Sequence, residues 1–130
     1  VTSNIKSFGA ALDKFAGDIE PKSRLIQRKI AFEALEGVVL MTPVDSGRAR
    51  GNWQVSVNAV INSQIENSDK SGGGTIAAGE AVMTSTPPNS IIWLNNGLPY
   101  IDALEHGHSQ KAPEGMVALT ANRLKNKYGL

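Results

Sequence analysis

The sequence predicts a mixed α/β (α+β) domain, and three observations carry that reading. Residues 21–41 have the apolar spacing of a long helix, the pattern changes to two-residue alternation at Trp53, and helical spacing returns after Pro113. The chain has 130 residues, a length that favours one domain over 1–130. A chain of this size can bury roughly two-thirds of the surface it exposes when unfolded, so a real core is possible. The apolar share is 41%, but aromatics make up only 5%, so Ala, Val, Leu and Ile must supply the packing. A thin core that gains from contact with neighbouring subunits is the expectation.

The elements follow in order. Ile5, Phe8, Leu12, Phe15 and Ile19 fall on one helical face, with Asn4, Lys6, Asp13, Lys14 and Asp18 elsewhere around the axis. Pro21 suits the first turn of a second helix, where its missing N–H does no harm. In that helix Ile26, Ile30, Ala34, Val38 and Met41 form one stripe, which Leu25, Phe32, Leu35 and Val39 widen to most of the circumference. A helix apolar nearly all round is buried on several sides. Pro43 disfavours helical geometry at Thr42 and ends it.

Asp45-Ser46-Gly47 is a turn signal, with Gly47 free to take positive φ and Asp45 and Ser46 suited to cap it. Trp53, Val55, Val57, Ala59 and Ile61 then alternate with polar or smaller residues, the mark of a half-buried strand. Arg48, Arg50 and Asn52 continue its polar phase, which would put both arginines on one face of an extended segment. Residues 62–74, ending in Gly72-Gly73-Gly74, read as a flexible loop whose glycines make a hinge or tip. Residues 75–84 read as a weak helix, Ile91–Leu94 as a core strand ending at Asn95-Asn96-Gly97, and Tyr100–His106 as one or two helical turns closed by Gly107. In the final helix Met116, Val117, Thr120, Leu124 and Tyr128 supply the buried side. Arg123, Lys125 and Lys127 complement the dipole of its last turns.

Charge and composition narrow the function classes. Thirteen basic and twelve acidic residues give a net charge of +1, whereas a dedicated nucleic-acid binder carries a clear basic excess. There are no cysteines, which removes disulfides and thiolate metal sites. No run of 18 apolar residues suggests a membrane span. Val1–Ala10 lacks a signal-peptide apolar stretch, so a soluble protein made in the cytosol is expected.

The candidate chemistry is thin. Glu105-His106-Gly107-His108 has a spacing that metal ligands use, but these are the only two histidines, and a turn with exposed imidazoles is the favoured reading. Asp45, Ser46 and a histidine contain the groups of a hydrolytic triad without a nucleophile-elbow pattern. Gly72–Gly74 lacks the Lys and Ser/Thr of a phosphate-binding loop. Trp53 and Trp93 are read as core ahead of interface. Arg48 and Arg50 are read as partners for carboxylates of an adjacent subunit, with Glu105 as one acceptor, ahead of contacts to DNA phosphates. On that reading Arg50→Ala leaves the fold intact and impairs assembly. No catalytic, cofactor or metal residue is assigned.

Two segments resemble the neck, or tail-completion, family of tailed bacteriophages. The first is Thr42-Pro43-Val44-Asp45-Ser46-Gly47-Arg48-Ala49-Arg50-Gly51-Asn52-Trp53. The second is Asn95-Asn96-Gly97-Leu98-Pro99-Tyr100, continuing through Leu104–Ser109 to Ala112–Val117. They cover about a quarter of the chain, and a long helix before and a helix after extend the likeness. Ser46, Ile101 and His106 depart from the residues common at those places. The resemblance implies a compact α/β subunit with a small, mainly antiparallel sheet flanked by a long N-terminal and a C-terminal helix. It implies a hexameric ring between head connector and tail tube in the virion neck, reached from the host cytoplasm, with genomic DNA passing through the lumen unbound. A head-closure adaptor of the same region is the alternative, and a small metal-dependent hydrolase a third. Subunit contacts are then expected at Arg48, Arg50, Asn52, Asn95, Tyr100, Glu105 and His108.

Overall fold

The computed structural model describes residues 23–106 and 115–130. The helical face expected over Ile5–Ile19, the Gly107 cap and the helix start at Pro113 lie outside the described residues. In chain order the elements are α1 (Ser23–Met41), α2 (Arg48–Gly51), β1 (Trp53–Val57), α3 (Gly73–Thr84), β2 (Ile92–Asn96), α4 (Ile101–Glu105) and α5 (Met116–Tyr128). This is a small α+β fold in which β1 and β2 pair antiparallel.

Helix α1 is the central element, as its apolar circumference requires. Ile30, Ala34, Leu35 and Val39 are wholly buried, and α3 and α5 both pack on it. Two glycines permit the close approach. A Cβ on Gly37 would sit 2.7 Å from Thr120 of α5, and one on Gly79 of α3 would collide with Leu35 of α1 and with Val55 of β1. The expected burial of this helix is therefore met largely within the chain. Leu25 (72% exposed) and Leu40 (49%) remain on its open side. The second turn of α1 is tied across the fold by Gln27 Nε2, which donates to the Ser90 carbonyl at 2.9 Å, and by Arg28, which donates to the Thr86 carbonyl.

The register pairs Trp53 with Asn96, Val55 with Leu94 and Val57 with Ile92. Strand alternation therefore puts Trp53, Val55, Ile92 and Leu94 on the core face, and Gln54, Ser56, Trp93 and Asn95 on the other. Trp53 is core, as expected; its indole N–H donates to Thr42 Oγ1 at 2.9 Å. Trp93 is half-buried on the second face.

Four local expectations change. The strand starts at Trp53, because Gly47 takes φ +85° and Arg48–Gly51 close into a helical turn. Arg48 and Arg50 consequently do not share a strand face. The strand also stops at Val57, because Asn58 takes φ +62° and spends its side chain on the Ile91 N–H at 2.9 Å, so the alternation through Ile61 is not used. Gly72 is buried in a left-handed conformation that starts α3, and Gly73 and Gly74 form its first turn; they are neither hinge nor loop tip. Finally, the second strand runs on through Asn95 and Asn96, which pair with Gln54 and Trp53, so the strand passes two residues beyond the expected stop.

Candidate functional site

The polar side chains with most structural consequence meet where segments 42–53, 62–75 and 95–98 converge. Arg50 is the hub. Its Nε donates to the Thr42 carbonyl at 3.0 Å, one terminal nitrogen to Leu40 at 2.9 Å, and the other to Lys70 at 2.8 Å. Two of these acceptors belong to the C-terminal end of α1, whose last carbonyls have no helical partner and carry partial negative charge. Arg50 thus caps a helix from outside it and pins the 62–72 segment to the same point.

Asn52 is fully buried. Its Nδ2 donates to the Arg48 carbonyl at 2.8 Å, closing the α2 turn, and its Oδ1 accepts the Ile65 N–H at 2.8 Å. Asn67 Nδ2 donates to the Gly51 carbonyl at 2.9 Å, and Gln54 Nε2 to the Ser63 carbonyl at 2.7 Å. The segment read as a flexible loop is thus stitched down along its length. Asp69 completes the stitching. Its carboxylate accepts the Thr75 N–H and hydroxyl at 2.8 and 2.7 Å, the Gly72 N–H at 3.0 Å and the Ser71 hydroxyl. These bonds, led by the Thr75 hydroxyl, hold its pKa below the ordinary value of 3.8.

The other expected contact residues are dispersed. Arg48 donates to Gln64 Oε1, while its Nε is buried without a partner. Asn95 is 5% exposed on the sheet face away from the helices, and its Nδ2 has no partner; the Trp93 indole N–H on the same face has none either. Tyr100 is exposed at the start of α4. Glu105 is buried, and its two carboxylate oxygens accept the N–H groups of Val117 (2.8 Å) and Ala118 (3.1 Å). That makes it the N-terminal cap of α5, placed to favour the positive end of the dipole, and it is not available to an arginine of another subunit. His106 is exposed with Nδ1 2.9 Å from the Asp102 carbonyl, and His108 lies outside the described residues. Among the described residues no three His, Asp or Glu side chains come together as metal ligands. Ser46 accepts the Arg48 N–H through its hydroxyl, the turn-capping role expected of it.

Sequence reasoning missed Asp69, Asn67 and Asn96. The signal for Asp69 was present: an acidic residue in Asp69-Lys70-Ser71-Gly72, shortly before a run that starts a helix, can cap that helix. Asn67 and, through its Nδ2, Asn96 donate to backbone far away in sequence, and those contacts left no local signal.

A shallow groove of about 180 Å³ lies beside the Trp53–Val55 part of β1. Its walls are the 65–67 segment (Ile65, Asn67) and α3 (Ala78, Gly79, Val82), with Val55 on its floor, and none of its lining residues is charged. The Asn58 N–H donates to Ile91 at 2.8 Å. Bonded and non-bonded pairs alternate in an antiparallel ladder. The N–H and C=O groups of Trp53, Val55 and Val57 therefore point away from β2, toward the outer edge of β1. Set beside known proteins, the chain matches no family model, no curated protein and no solved structure.

Proposed function

We propose that the chain is a non-enzymatic structural subunit of the neck of a tailed bacteriophage, completing the tail and joining it to the head connector. One observation carries this reading beyond the sequence resemblance. The two segments that bear the resemblance, more than 40 residues apart, fold into a single unit. Trp53 pairs with Asn96, Asn96 Nδ2 donates to the Ala49 carbonyl at 2.8 Å, and Trp53 closes on Thr42. Motifs that belong to one architecture are expected to cohere in this way.

The subunit works by adhesion, as a hexameric ring between connector and tail tube, around DNA that passes without specific contacts. Ring contacts of this head-to-tail kind close by rotation. Arg50, Asn52 and Glu105 spend their hydrogen-bonding groups inside the chain and Asn95 is buried, so the contacts fall to Tyr100 and Arg48, together with His108. The near-neutral charge suits a conduit along which DNA slides. No helix among the described residues is long and apolar enough to cross a membrane, in keeping with a particle component.

The test is imaging of infectious particles by electron cryo-microscopy, paired with complementation of a phage lacking the protein. Density for the subunit between connector and tail tube is expected, and Tyr100→Ala is expected to fold normally yet leave heads and tails unjoined. Placement against the connector itself would assign the head-closure role instead. Absence of the chain from purified infectious particles would end the proposal.

A further inference from the structure

We infer that the outer edge of β1 is a strand-addition site, which takes an extended, uncharged segment of a partner protein as the third strand of the sheet. Three observations converge there. First, the backbone groups of Trp53, Val55 and Val57 are directed outward, and among the described residues no hydrogen bond reaches those of Val55 from that side. Such a row is a template for another strand, and main-chain bonds supply the affinity in this mode of recognition.

Second, β1 carries no sequence guard of an open edge. Its sequence, WQVSV, has no Lys, no Pro and no bulge, and no charged residue occurs from Gly51 to Ile65. A two-stranded sheet is also marginal by itself, so a third strand would consolidate it.

Third, the edge is recessed between two walls, which favours a single extended segment over the broad edge of another sheet. On the α3 wall the exposed Ala78 is small, and an aliphatic side chain of the incoming strand would lie against it. Its neighbours in sequence would point to Ile65 and Asn67, since side chains alternate. The uncharged lining gives a buried charge nothing to pair with, so charged segments are selected against.

This inference rests on the geometry of β1 and does not depend on the neck reading. Its test uses the full chain as target for a library of random peptides displayed on their own mRNA, and the most enriched peptide as probe. Enriched sequences are expected to be uncharged and aliphatic at alternate positions, and binding is expected to slow hydrogen exchange at the Val55 and Val57 amides. Ala78→Glu, at an exposed position on the groove wall, should keep the fold by circular dichroism and weaken the probe at least tenfold. N-methylation of alternate probe residues should do the same in one phase only. Enrichment of peptides that leave those two amides unprotected, or unchanged affinity for Ala78→Glu, would overturn the proposal. Self-association of the peptide-free protein that Ala78→Glu abolishes would give the edge to a second copy and overturn the partner assignment.

Discussion

Arg50 and Asp69 show how single side chains hold irregular backbone in place. The Arg50 fork satisfies three carbonyls from two segments, and a Lys ammonium cannot reproduce that planar geometry. Removing it leaves helix-end carbonyls without their donor. Arg50→Ala is therefore expected to lower stability by about 2 kcal/mol, in the range for hydrogen bonds to charged groups, and Arg50→Lys should recover only part of that in urea unfolding. This reverses the expectation from sequence that Arg50→Ala would spare the fold. Asp69→Ala should cost about 1 kcal/mol, as for other helix caps. The sign of its pH dependence follows from the depressed pKa: the stabilisation is complete above the ordinary value of 3.8 and is lost as pH falls through the lower folded value. Unfolding of wild type and Asp69→Asn at pH 7 and at pH 3 should show a gap that narrows in acid.

Packing between elements depends on small residues and borrowed caps. Gly79 lies where α3 crosses Leu35 and Val55, with no room for a Cβ. Alanine is the better helix former by about 1 kcal/mol, yet overpacking a tight contact costs about 1–3 kcal/mol. Gly79→Ala should thus be destabilising overall, whereas the same change at Gly73, where the nearest atom is a flexible Ser71 hydroxyl 3.4 Å away, should be neutral or better. Thermal unfolding of the two variants decides the point. Glu105 caps α5 from α4 in a buried setting, so Glu105→Ala strands two N–H groups and should cost about 2 kcal/mol. Amide exchange would then quicken first in the opening turn of α5. At the far end of that helix, Glu33 of α1 accepts from Lys127 (2.6 Å) and Tyr128. Burial pushes the Glu33 carboxyl up, but the two hydrogen bonds and the charges of Lys127 and Lys29 outweigh it and bring it below 4.5. Lys127 is half-exposed, so this pair contributes little beyond aligning the two helices.

For the whole molecule, the balance of charge and the scarcity of aromatics fit a part that works by assembly. Most of the apolar core is aliphatic, gathered on α1 between α3, α5 and one face of a two-stranded sheet. The second sheet face keeps two unpartnered donors, on Trp93 and Asn95, and a buried donor without an acceptor costs about 1–3 kcal/mol. Both atoms are enclosed by the chain itself, so that cost is internal to the subunit. Trp93→Phe, which removes the donor but keeps the ring, is expected to leave the isolated chain as stable or slightly more so.

The sequence by itself determined the long helix, the central burial of residues 30–39 and the stretches in which both strands lie. Those features are written in local periodicity, and periodicity survives any arrangement of the chain. Only the tertiary structure decided that Arg48–Gly51 coil instead of extending, that β1 ends at Val57, and that Arg50, Asn52, Asp69 and Glu105 serve the fold. Each of those outcomes turns on hydrogen bonds to backbone carbonyls and N–H groups brought near by folding, such as Arg50 to Leu40 or Glu105 to Val117. A short run of alternating residues is compatible with strand or turn, and the choice is made by whichever distant partner satisfies its polar groups. That partner exists only once the chain has closed on itself.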